Sequence, residues 1–421
     1  MRLGHVCFVL TTFISISRAS RVTLGLEGDY GVRLEGEGDK AYIKSTIKLR
    51  DYDASVPTYT LAARPTTVFR PRSQAAFESA RLRSLRHNQN EKVEWDEVEM
   101  LGPDVDDKHT LAQLARMTGN AYAMPGWKNW YDIDPEWNTS FPIGWDPDSP
   151  GFRGHVFVSS DSSIAVLSIK GTTINGPTSK LDKYNDNLLF SCCCARVDIS
   201  WVFKTVCGCY RCGWKCDSGC LSEAVAQDSL FYSVGVNLVN NLTAMYPTAD
   251  IWLVGHSLGG ALASLLGTTF GFPAVAFESP GERLAANRLH LPIPGSDLVS
   301  TIPWHAPVTH VYHTADPIPQ GACTGPLSPC VQAGYALETR CHLGGSVVFD
   351  SVMKLGWRVD IRRHTIKEVV GMLEREGVEW NEHGRQVPPR VIEEGCIDCF
   401  KWEFGEFDRL DSASLPESRC K

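Results

Sequence analysis

Short apolar runs alternate along this chain with longer segments in which apolar residues recur every three to four positions. The short runs are typical of buried strands, and the longer periodic segments are typical of amphipathic helices. Strand alternating with helix predicts an α/β fold with a mostly parallel central sheet, covered by helices on both faces. The predicted strands lie at 154–158, 163–170, 251–256, 274–277, 308–312 and 357–361, and the predicted helices at 111–122, 224–246, 260–271 and 366–375.

One predicted strand runs into a helix through a G-x-S-x-G sequence centred on Ser257. A strand, this turn and a helix in that order form a nucleophile elbow, which exposes the serine hydroxyl at the end of the sheet. The flanking residues must be small, because a Cβ there would collide with neighbouring backbone. The first N–H groups of the helix favour negative charge that develops beside the serine. Ser257 is therefore the candidate nucleophile, with an ordinary Gly-Ser turn as the alternative.

A serine hydroxyl needs a base to remove its proton and a carboxylate to orient that base. In a fold of this type the carboxylate and then the histidine follow the serine, each on a loop after a later strand. The best placed are Asp316, on the loop after a predicted strand, and His364, directly before the last predicted helix. The alternatives are Asp350 or Asp360 as the carboxylate and His342 as the base.

A tetrahedral oxyanion needs two backbone N–H donors aimed at it. One is expected from Leu258, the residue after the nucleophile, and the other from Thr172, at the end of an earlier strand where Gly171 allows close approach. The alternative for Gly171 is a simple turn. The segment 173–190 follows at once, polar first and apolar later, and is either a lid over the site or a plain connector.

Composition excludes some classes of function. The 421 residues are 43% hydrophobic and 21% charged, as in an ordinary globular protein. The formal net charge is −8, so nucleic acid is not an expected partner. Serine, histidine and carboxylate chemistry requires no metal or cofactor, and none is expected.

The N-terminus resembles a secretory leader. Arg2 precedes an apolar stretch from Val6 to Ile16, and Ser17-Arg18-Ala19 then places small residues at the spacing of a signal cleavage site. About a dozen apolar positions is fewer than the roughly 20 of a membrane-spanning helix. The stretch is interpreted as a signal peptide, with an uncleaved signal anchor as the alternative; either directs the rest of the chain to the secretory lumen.

Cysteine usage fits a lumenal route. Of 15 cysteines, 14 follow the leader, and eight of these lie between Cys192 and Cys220. An even number in an oxidising compartment predicts disulfides, although the sequence does not give their pairing. The alternative for this dense block is a zinc cluster. Two N-glycosylation sequons, at Asn138 and Asn241, also suit the lumen.

The predicted domain organisation has one large folded unit. A basic segment at 68–90 is interpreted as a solvated helix or linker, the alternative being a segment that rests on anionic lipid. The predicted parts are the leader (1–20), an N-terminal extension (21–95), the α/β domain (96–400) with a cysteine-rich insert (190–220), and a C-terminal tail (401–421).

Taken together, these motifs resemble the class 3 (fungal-type) lipases, and among them the autophagy-related vacuolar lipases of fungi. The resemblance covers roughly residues 90–400. It is carried by Gly171-Thr172, the Gly255–Gly260 elbow, Thr314–Ile318, His364, Asn185–Cys194 with its triple cysteine, Gly334–Glu338 and Cys396–Phe400.

The resemblance implies an α/β-hydrolase fold. It also implies lipase activity on triacylglycerols and phospholipase activity, phosphatidylserine included, which breaks down autophagic bodies and intravacuolar vesicles. The implied partners are a lipid substrate and a membrane surface. The implied protein is a glycosylated type II membrane protein that travels through the Golgi apparatus and multivesicular endosomes to the vacuole.

Two rival functions remain open on the sequence. One is a secreted small-ester or feruloyl-type esterase on the same fold. The other is a non-catalytic membrane-binding module that keeps the elbow without its chemistry.

Overall fold

The computed structural model describes most of the chain between residues 60 and 407, and the backbone of three earlier strands. The predicted leader, the sequon at Asn138 and the end of the predicted C-terminal tail lie outside the described residues. Within those residues, none of the helices combines the length and hydrophobicity that a bilayer span requires. The described residues are 20–23, 33–37, 40–44, 60–87, 91–137, 139–146, 149, 151–193, 206–211, 213–226, 230–294, 306–324, 327–380 and 384–407.

The strands in chain order are β1 (Ser20–Thr23), β2 (Arg33–Glu37), β3 (Lys40–Lys44), β4 (Thr60–Pro71), β5 (Trp95–Pro103), β6 (Thr139–Ile143), β7 (Gly154–Val158), β8 (Ile164–Ile169), β9 (Tyr210–Arg211), β10 (Lys215–Asp217), β11 (Asp250–His256), β12 (Ala274–Phe277), β13 (Val308–His313), β14 (Gly345–Phe349), β15 (Arg390–Ile392) and β16 (Glu403–Gly405). The helices are α1 (Gln74–His87), α2 (Lys108–Asn120), α3 (Ser179–Phe190), α4 (Ser218–Val225), α5 (Phe231–Met245), α6 (Leu258–Phe270), α7 (Arg283–Arg288), α8 (Pro329–Gln332), α9 (Ser351–Leu355) and α10 (Ile366–Leu373), with 3₁₀ turns at Pro135–Trp137 and Ile361–His364.

The central sheet has eight described strands in the order β15-β14-β13-β12-β11-β8-β7-β6. The five strands from β14 to β8 are parallel, and the strands at both edges are antiparallel. The carboxyl ends of the parallel strands meet at one edge, which is where ligands bind in open α/β sheets.

Both faces of the sheet are covered, as predicted. On one face α3, α5 and α6 bury residues such as Leu188, Val239 and Leu265. On the other face α2 and α10 bury residues such as Leu111 and Val369. Parallel strands buried on both faces consist of near-continuous apolar residues, as in β8 and β11. The α/β fold class predicted from the sequence is confirmed.

The N-terminal strands pack against this domain rather than standing apart from it. β4 and β5 pair in antiparallel fashion from Ala63–Pro103 to Pro71–Trp95. Trp252 of β11 donates a hydrogen bond from Nε1 to the carbonyl of Leu101, 2.8 Å away. The helix in the basic segment is α1, and it buries Phe77 and Arg81, so this segment is partly packed rather than wholly solvated.

Disulfides hold the cysteine-rich insert to the C-terminal part of the chain. The alternative zinc cluster would draw on Cys207, Cys209, Cys212, Cys216 and Cys220, of which Cys212 lies outside the described residues. The other four are disulfide-bonded and cannot offer thiolates to zinc. The short strand β16 pairs with β10 of the insert. The described pairs are Cys192–Cys399, Cys193–Cys216, Cys209–Cys220, Cys323–Cys330 and Cys341–Cys396.

Two predicted elements differ from the structure. The prediction of a strand at 357–361 is wrong, because β14 already pairs with β13 on one side and β15 on the other. There the Asp360 side chain accepts a hydrogen bond from the backbone N–H of Arg362 and starts a 3₁₀ turn. The helix predicted at 224–246 is two helices, α4 and α5, of which the first begins where Asp217 caps it.

Candidate active site

Ser257 lies at the sharp turn between β11 and α6. Its backbone has φ 57° and ψ −128°, a region that non-glycine residues rarely occupy and that costs strain energy. A Cβ on Gly255 would lie 2.1 Å from the carbonyl oxygen of Gly259, and one on Gly259 would lie 2.2 Å from that of Ile169. The turn therefore needs both glycines, and it has the geometry of a nucleophile elbow.

The structure brings Ser257, His364 and Asp316 together from three separate segments. The Nε2 atom of His364 lies 2.8 Å from Oγ of Ser257. Its Nδ1 atom lies 2.6 Å from Oδ2 of Asp316. These are the contacts that a nucleophile, a base and an orienting carboxylate require.

Asp316 is fully buried on the loop after β13. Its Oδ1 atom accepts a hydrogen bond of 2.9 Å from the backbone N–H of Ile318. Burial alone would raise the pKa of Asp316, but the charge of His364 and hydrogen bonds to the carboxylate lower it. Asp316 is therefore ionised and can orient the imidazole ring.

Two further histidines hold the backbone on which His364 lies. His256 donates from Nε2 to the carbonyl of His364 at 2.6 Å, and His313 donates from Nε2 to that of Arg363 at 3.1 Å. Burial, and then the charge of His364, lowers the pKa of His256 to about 3, so its ring stays neutral in mild acid. With Nε2 donating, its Nδ1 atom accepts from the hydroxyl of Tyr122 at 2.8 Å.

Both predicted oxyanion residues lie beside Ser257. A Cβ on Gly171 would be 3.1 Å from Cβ of Ser257, and Thr172 lines the same cavity as Ser257. Leu258 is the first residue of α6, where helix N–H groups have no acceptor within the helix. The Thr172 hydroxyl is hydrogen-bonded to the buried carboxyl of Asp186.

A buried group of charges supports the loop that contains Thr172. Lys170 and Asp182 form an ion pair of 2.8 Å, with both side chains nearly inaccessible to solvent. Asp186 lies close to them, and burial raises its pKa to about 7, with a further contribution from Asp182. Lys170 is thus paired with Asp182, while Asp186 binds the Thr172 hydroxyl beside this pair.

Ser257 and His364 lie in the wall of a cavity of about 490 Å³. Apart from this pair and a few polar groups the wall is apolar, and the exposed side chain of Ile174 lies at its rim. The second half of α3 is buried in the core, which restricts any lid within 173–190 to the residues before this helix. The apolar residues of the wall are Ile174, Ile318, Pro329, Ala333, Leu337, Ile361 and Ile366.

The alternative site residues have other contacts. The ring of His342 lies 2.7 Å from Oε1 of Glu393. Asp350 caps α9 and accepts a hydrogen bond from Met353. Asp360 caps the 3₁₀ turn that ends at His364 and pairs with a neighbouring arginine.

One cluster among the described residues has the side-chain types of a metal site. The ligand atoms of Glu282, His310 and His342 lie within 4.8 Å of one another, and all three residues are buried. The two ring nitrogens of His342 face a carboxylate oxygen of Glu393 and the carbonyl of Ser279. Both nitrogens therefore donate protons, and the ring has no lone pair to offer a metal ion.

Several residues of the site were not predicted from the sequence. Tyr122 lies at the end of a helix predicted from its packing period, and Asp186 lies in the segment 173–190, for which the sequence indicates only a lid or a connector. For Asp186, the polar run Asn185-Asp186-Asn187 before three apolar residues was an available signal, because α3 buries all three polar side chains. Glu278 directly follows β12 at the same edge of the sheet as Ser257, which was a second such signal.

Comparison with known families and relatives gives consistent matches. Residues 190–274 match the family model described as Lipase (class 3). A Cryptococcus neoformans protein named "Putative lipase ATG15" is 44% identical over 382 residues, which cover 76% of this chain and 72% of that protein. The protein of the same name from Mycosarcoma maydis is 40% identical over 385 residues, covering 86% of this chain and 72% of that protein.

The Saccharomyces cerevisiae protein of that name is 43% identical over 327 residues, covering 75% of this chain and 60% of that protein. Among solved structures, the Lip2 lipase of Yarrowia lipolytica is 20% identical, with a TM-score of 0.32 over 59% of this chain and 80% of that one.

Proposed function

This chain belongs to the fungal ATG15 lipases of the class 3 lipase family, and on that premise we propose that it hydrolyses triacylglycerols and membrane phospholipids, phosphatidylserine included, with Ser257 as nucleophile. In the cell this activity breaks down autophagic bodies and intravacuolar vesicles. Family membership supports the assignment as a carboxylic ester hydrolase. The particular substrate classes are proposed in addition to it.

In the proposed mechanism Ser257 attacks the ester carbonyl while His364 takes its proton at Nε2. Asp316 holds the ring through Nδ1 and stabilises the imidazolium that forms. The backbone N–H groups of Thr172 and Leu258 stabilise the oxyanion. His364 then gives the proton to the departing alcohol, and water, activated in the same way, releases the fatty acid from Ser257.

The observation that carries this proposal is the pair of contacts of His364, 2.8 Å to Ser257 and 2.6 Å to Asp316. The wall of the cavity supports a lipid substrate, because its mainly apolar surface suits an acyl chain and not a polar leaving group. The buried position of Asp316 supports its role as the orienting group.

Changing Ser257 to Ala tests the assignment. The variant should fold with an unchanged melting temperature and lose essentially all hydrolysis of triolein emulsions and phosphatidylserine vesicles. Ser163→Ala is a matched control, because Ser163 is exposed beyond the opposite end of β8. Hydrolysis by the Ser257→Ala protein at the parent rate would exclude Ser257 as nucleophile.

A small-ester esterase would differ in its response to a lipid surface. With an exposed apolar side chain, Ile174, at the rim of the cavity, we expect the rate to rise when substrate passes its critical micelle concentration. A rate that saturates below this concentration on short soluble esters would favour the esterase.

The proposed location is the lumen of the secretory pathway, ending in the vacuole. The described disulfides support it, because such bonds persist in oxidising compartments. Attachment by an N-terminal signal anchor and glycosylation at Asn138 and Asn241 are parts of the same proposal. Asn241 is exposed on α5, which leaves it accessible to a transferase.

A further inference from the structure

A second carboxyl group is buried against the orienting carboxylate of the site. Glu278 follows β12, is fully inaccessible to solvent and has φ 45°. A non-glycine residue in this left-handed region carries a conformational cost that glycine would not. A buried acid in a strained backbone position beside the site is therefore a candidate for a role in the reaction.

The contacts of Glu278 determine which group carries a proton. Its Oε1 atom accepts a hydrogen bond of 3.1 Å from the backbone N–H of His313. Its Oε2 atom is buried and meets no N–H or O–H donor among the described residues, and the same carboxyl group lies within hydrogen-bonding reach of the Asp316 carboxyl group. Two ionised carboxylates have acceptors only, so a hydrogen bond between them requires a proton on one.

That proton belongs to Glu278. Both oxygens of Asp316 already accept, one from Ile318 and one from the ring of His364. Burial, and next the charge of Asp316, raises the pKa of Glu278 well above its ordinary value. The neutral acid therefore donates to the charged one.

We propose that Glu278 is a positioning residue that donates a hydrogen bond to Asp316 and so lets the Ser257–His364 pair work in acid. The inference rests on the proposed function. A donor on Asp316 spreads its negative charge and weakens its pull on a protonated His364 ring. A free imidazole is mostly protonated in an acidic lumen and cannot act as a base there. The donor also keeps Asp316 itself ionised in acid.

The other titratable groups around this carboxyl pair do not replace the donor. The pKa of His256 and that of His313 are lowered by burial, so both rings stay neutral where His364 must act. Burial raises the pKa of Tyr312, which keeps the phenol neutral. Glu368 lies on α10 and pairs with Arg363. The charge of His364 also acts on Asp186, whose pKa of about 7 lies inside the measured pH range, but Asp186 is the same in the parent and in the Glu278 variants. Beside His364, Glu278 is the titratable side chain whose hydrogen bond acts on Asp316.

Two substitutions at position 278 distinguish the loss of the hydrogen-bond donor from a change in the size of the side chain. Glu278→Gln keeps an N–H donor at this position, whereas Glu278→Met keeps the length of the side chain and offers no donor. The reaction of Ser257 with a soluble fluorophosphonate, measured from pH 4 to pH 9 on the full chain, reports the site without a lipid surface. Glu374→Gln is a matched control, since Glu374 is a surface carboxylate paired with Arg116.

We expect Glu278→Met to move the acid limb of the labelling rate upward by about one pH unit, a roughly tenfold loss at pH 5 with little change at pH 8. Glu278→Gln should keep the acid limb of the parent, and so should Glu374→Gln. An infrared difference spectrum between the parent and Glu278→Gln at pH 7 should show the carbonyl band of a protonated carboxylic acid.

Equal acid limbs in the parent and Glu278→Met, or an infrared spectrum without that band, would overturn the inference and leave the proposed function standing. An equal loss at pH 5 and pH 8 in both Glu278 variants would also overturn it, since that result indicates only packing. A parent protein that does not label at any pH would remove the proposed function and this inference with it.

Discussion

Within the described part of this chain we compare two series of serine, histidine and carboxylate, of which one reaches the cavity and the other does not. In the first, Ser257 contacts His364, which contacts Asp316. In the second, Oγ of Ser279 lies 3.1 Å from Nδ1 of His310, and Nε2 of that ring lies 3.0 Å from Oε1 of Glu282. The residue types and the distances are closely similar.

The two series differ in their access to the cavity and in the backbone conformation of the serine. Ser257 lies at the strained turn of the elbow and in the wall of the cavity, together with His364. Ser279 is 1% exposed, and its hydroxyl donates to the carbonyl of Pro280 at 3.1 Å. A hydroxyl committed to a backbone acceptor and closed off from substrate is a packing element, whatever its neighbours are.

The carboxylates of the two series, Glu282 and Asp316, also differ in the groups that they bind. Glu282 accepts from Ser264, Leu343 and His310, so its charge is used to satisfy buried donors. Asp316 instead contacts one nitrogen of the His364 ring, and the other nitrogen faces the hydroxyl of Ser257, which can give up its proton. The comparison indicates that the second series stabilises the fold and the first performs the reaction.

The largest expected difference comes from removing one carboxylate from each series. Asp316→Asn should lower turnover about 10⁴-fold, because the amide favours the wrong tautomer of His364, with little change in melting temperature. Ester hydrolysis and thermal unfolding on the same preparation measure both effects. A loss of tenfold or less would show that Asp316 does not orient the base.

Glu282→Ala should have the opposite outcome. Three buried donors lose their acceptor, so the free energy of unfolding should fall by about 3 kcal/mol. Urea unfolding measures the loss, and fluorophosphonate labelling per folded molecule should stay at the parent rate. A selective loss of labelling would assign the second series a catalytic part.

The next effect is a pH dependence of stability. Hydrogen bonding to Glu393 and the nearby Glu282 raise the pKa of His342 against the opposing effect of burial, and His342 in turn lowers the pKa of Glu393 to about 2. The histidine stabilises the fold below its unfolded pKa of about 6.5 and loses this contribution as the pH rises through its folded value. The glutamate contributes above about pH 4.5 and loses its contribution toward pH 2.

Both contributions are therefore present between about pH 4.5 and 6.5. His342→Gln should destabilise the protein more at pH 5.5 than at pH 8.5, as measured by urea unfolding at each pH. The same loss at both values would contradict an ionised His342–Glu393 pair.

The smallest effect is expected for Ser279→Ala. It removes the buried hydrogen bond from the Ser279 hydroxyl to the carbonyl of Pro280 and should cost about 1 kcal/mol of stability. The labelling rate and its pH profile should match those of the parent. A slower labelling rate in Ser279→Ala would contradict this expectation, because it would show that Ser279 takes part in the reaction at Ser257.

Most of the fold could be predicted from periodicity, because buried parallel strands have near-continuous apolar sequences. The β8, β11, β12 and β13 strands, and the α2, α6 and α10 helices, follow that pattern. β14 escaped prediction because Gly345 and Ser346 reduce its apolar run to three residues, whereas residues 357–361 imitate strand alternation without a free edge to pair with. Pairing partners are a property of the whole sheet and not of the segment.

The residues of the candidate site also fall into two groups, one that the local sequence indicates and one that it does not. Ser257, Asp316, His364 and Thr172 stand at strand ends or in a motif of fixed order, so local sequence points to them. The roles of Glu278 and Asp186 depend on which carboxyl group lies beside which, across separations of 38 and 14 residues from Asp316 and Thr172. Such proximity arises only when the sheet has assembled.

The central claim is that Ser257, and not Ser279, is the nucleophile. Fluorophosphonate treatment of the native protein followed by peptide mass spectrometry tests it most directly. We predict a single adduct on the peptide that contains Ser257, absent from Ser257→Ala and unchanged in Ser279→Ala. An adduct on Ser279, or labelling that persists in Ser257→Ala, would contradict the account.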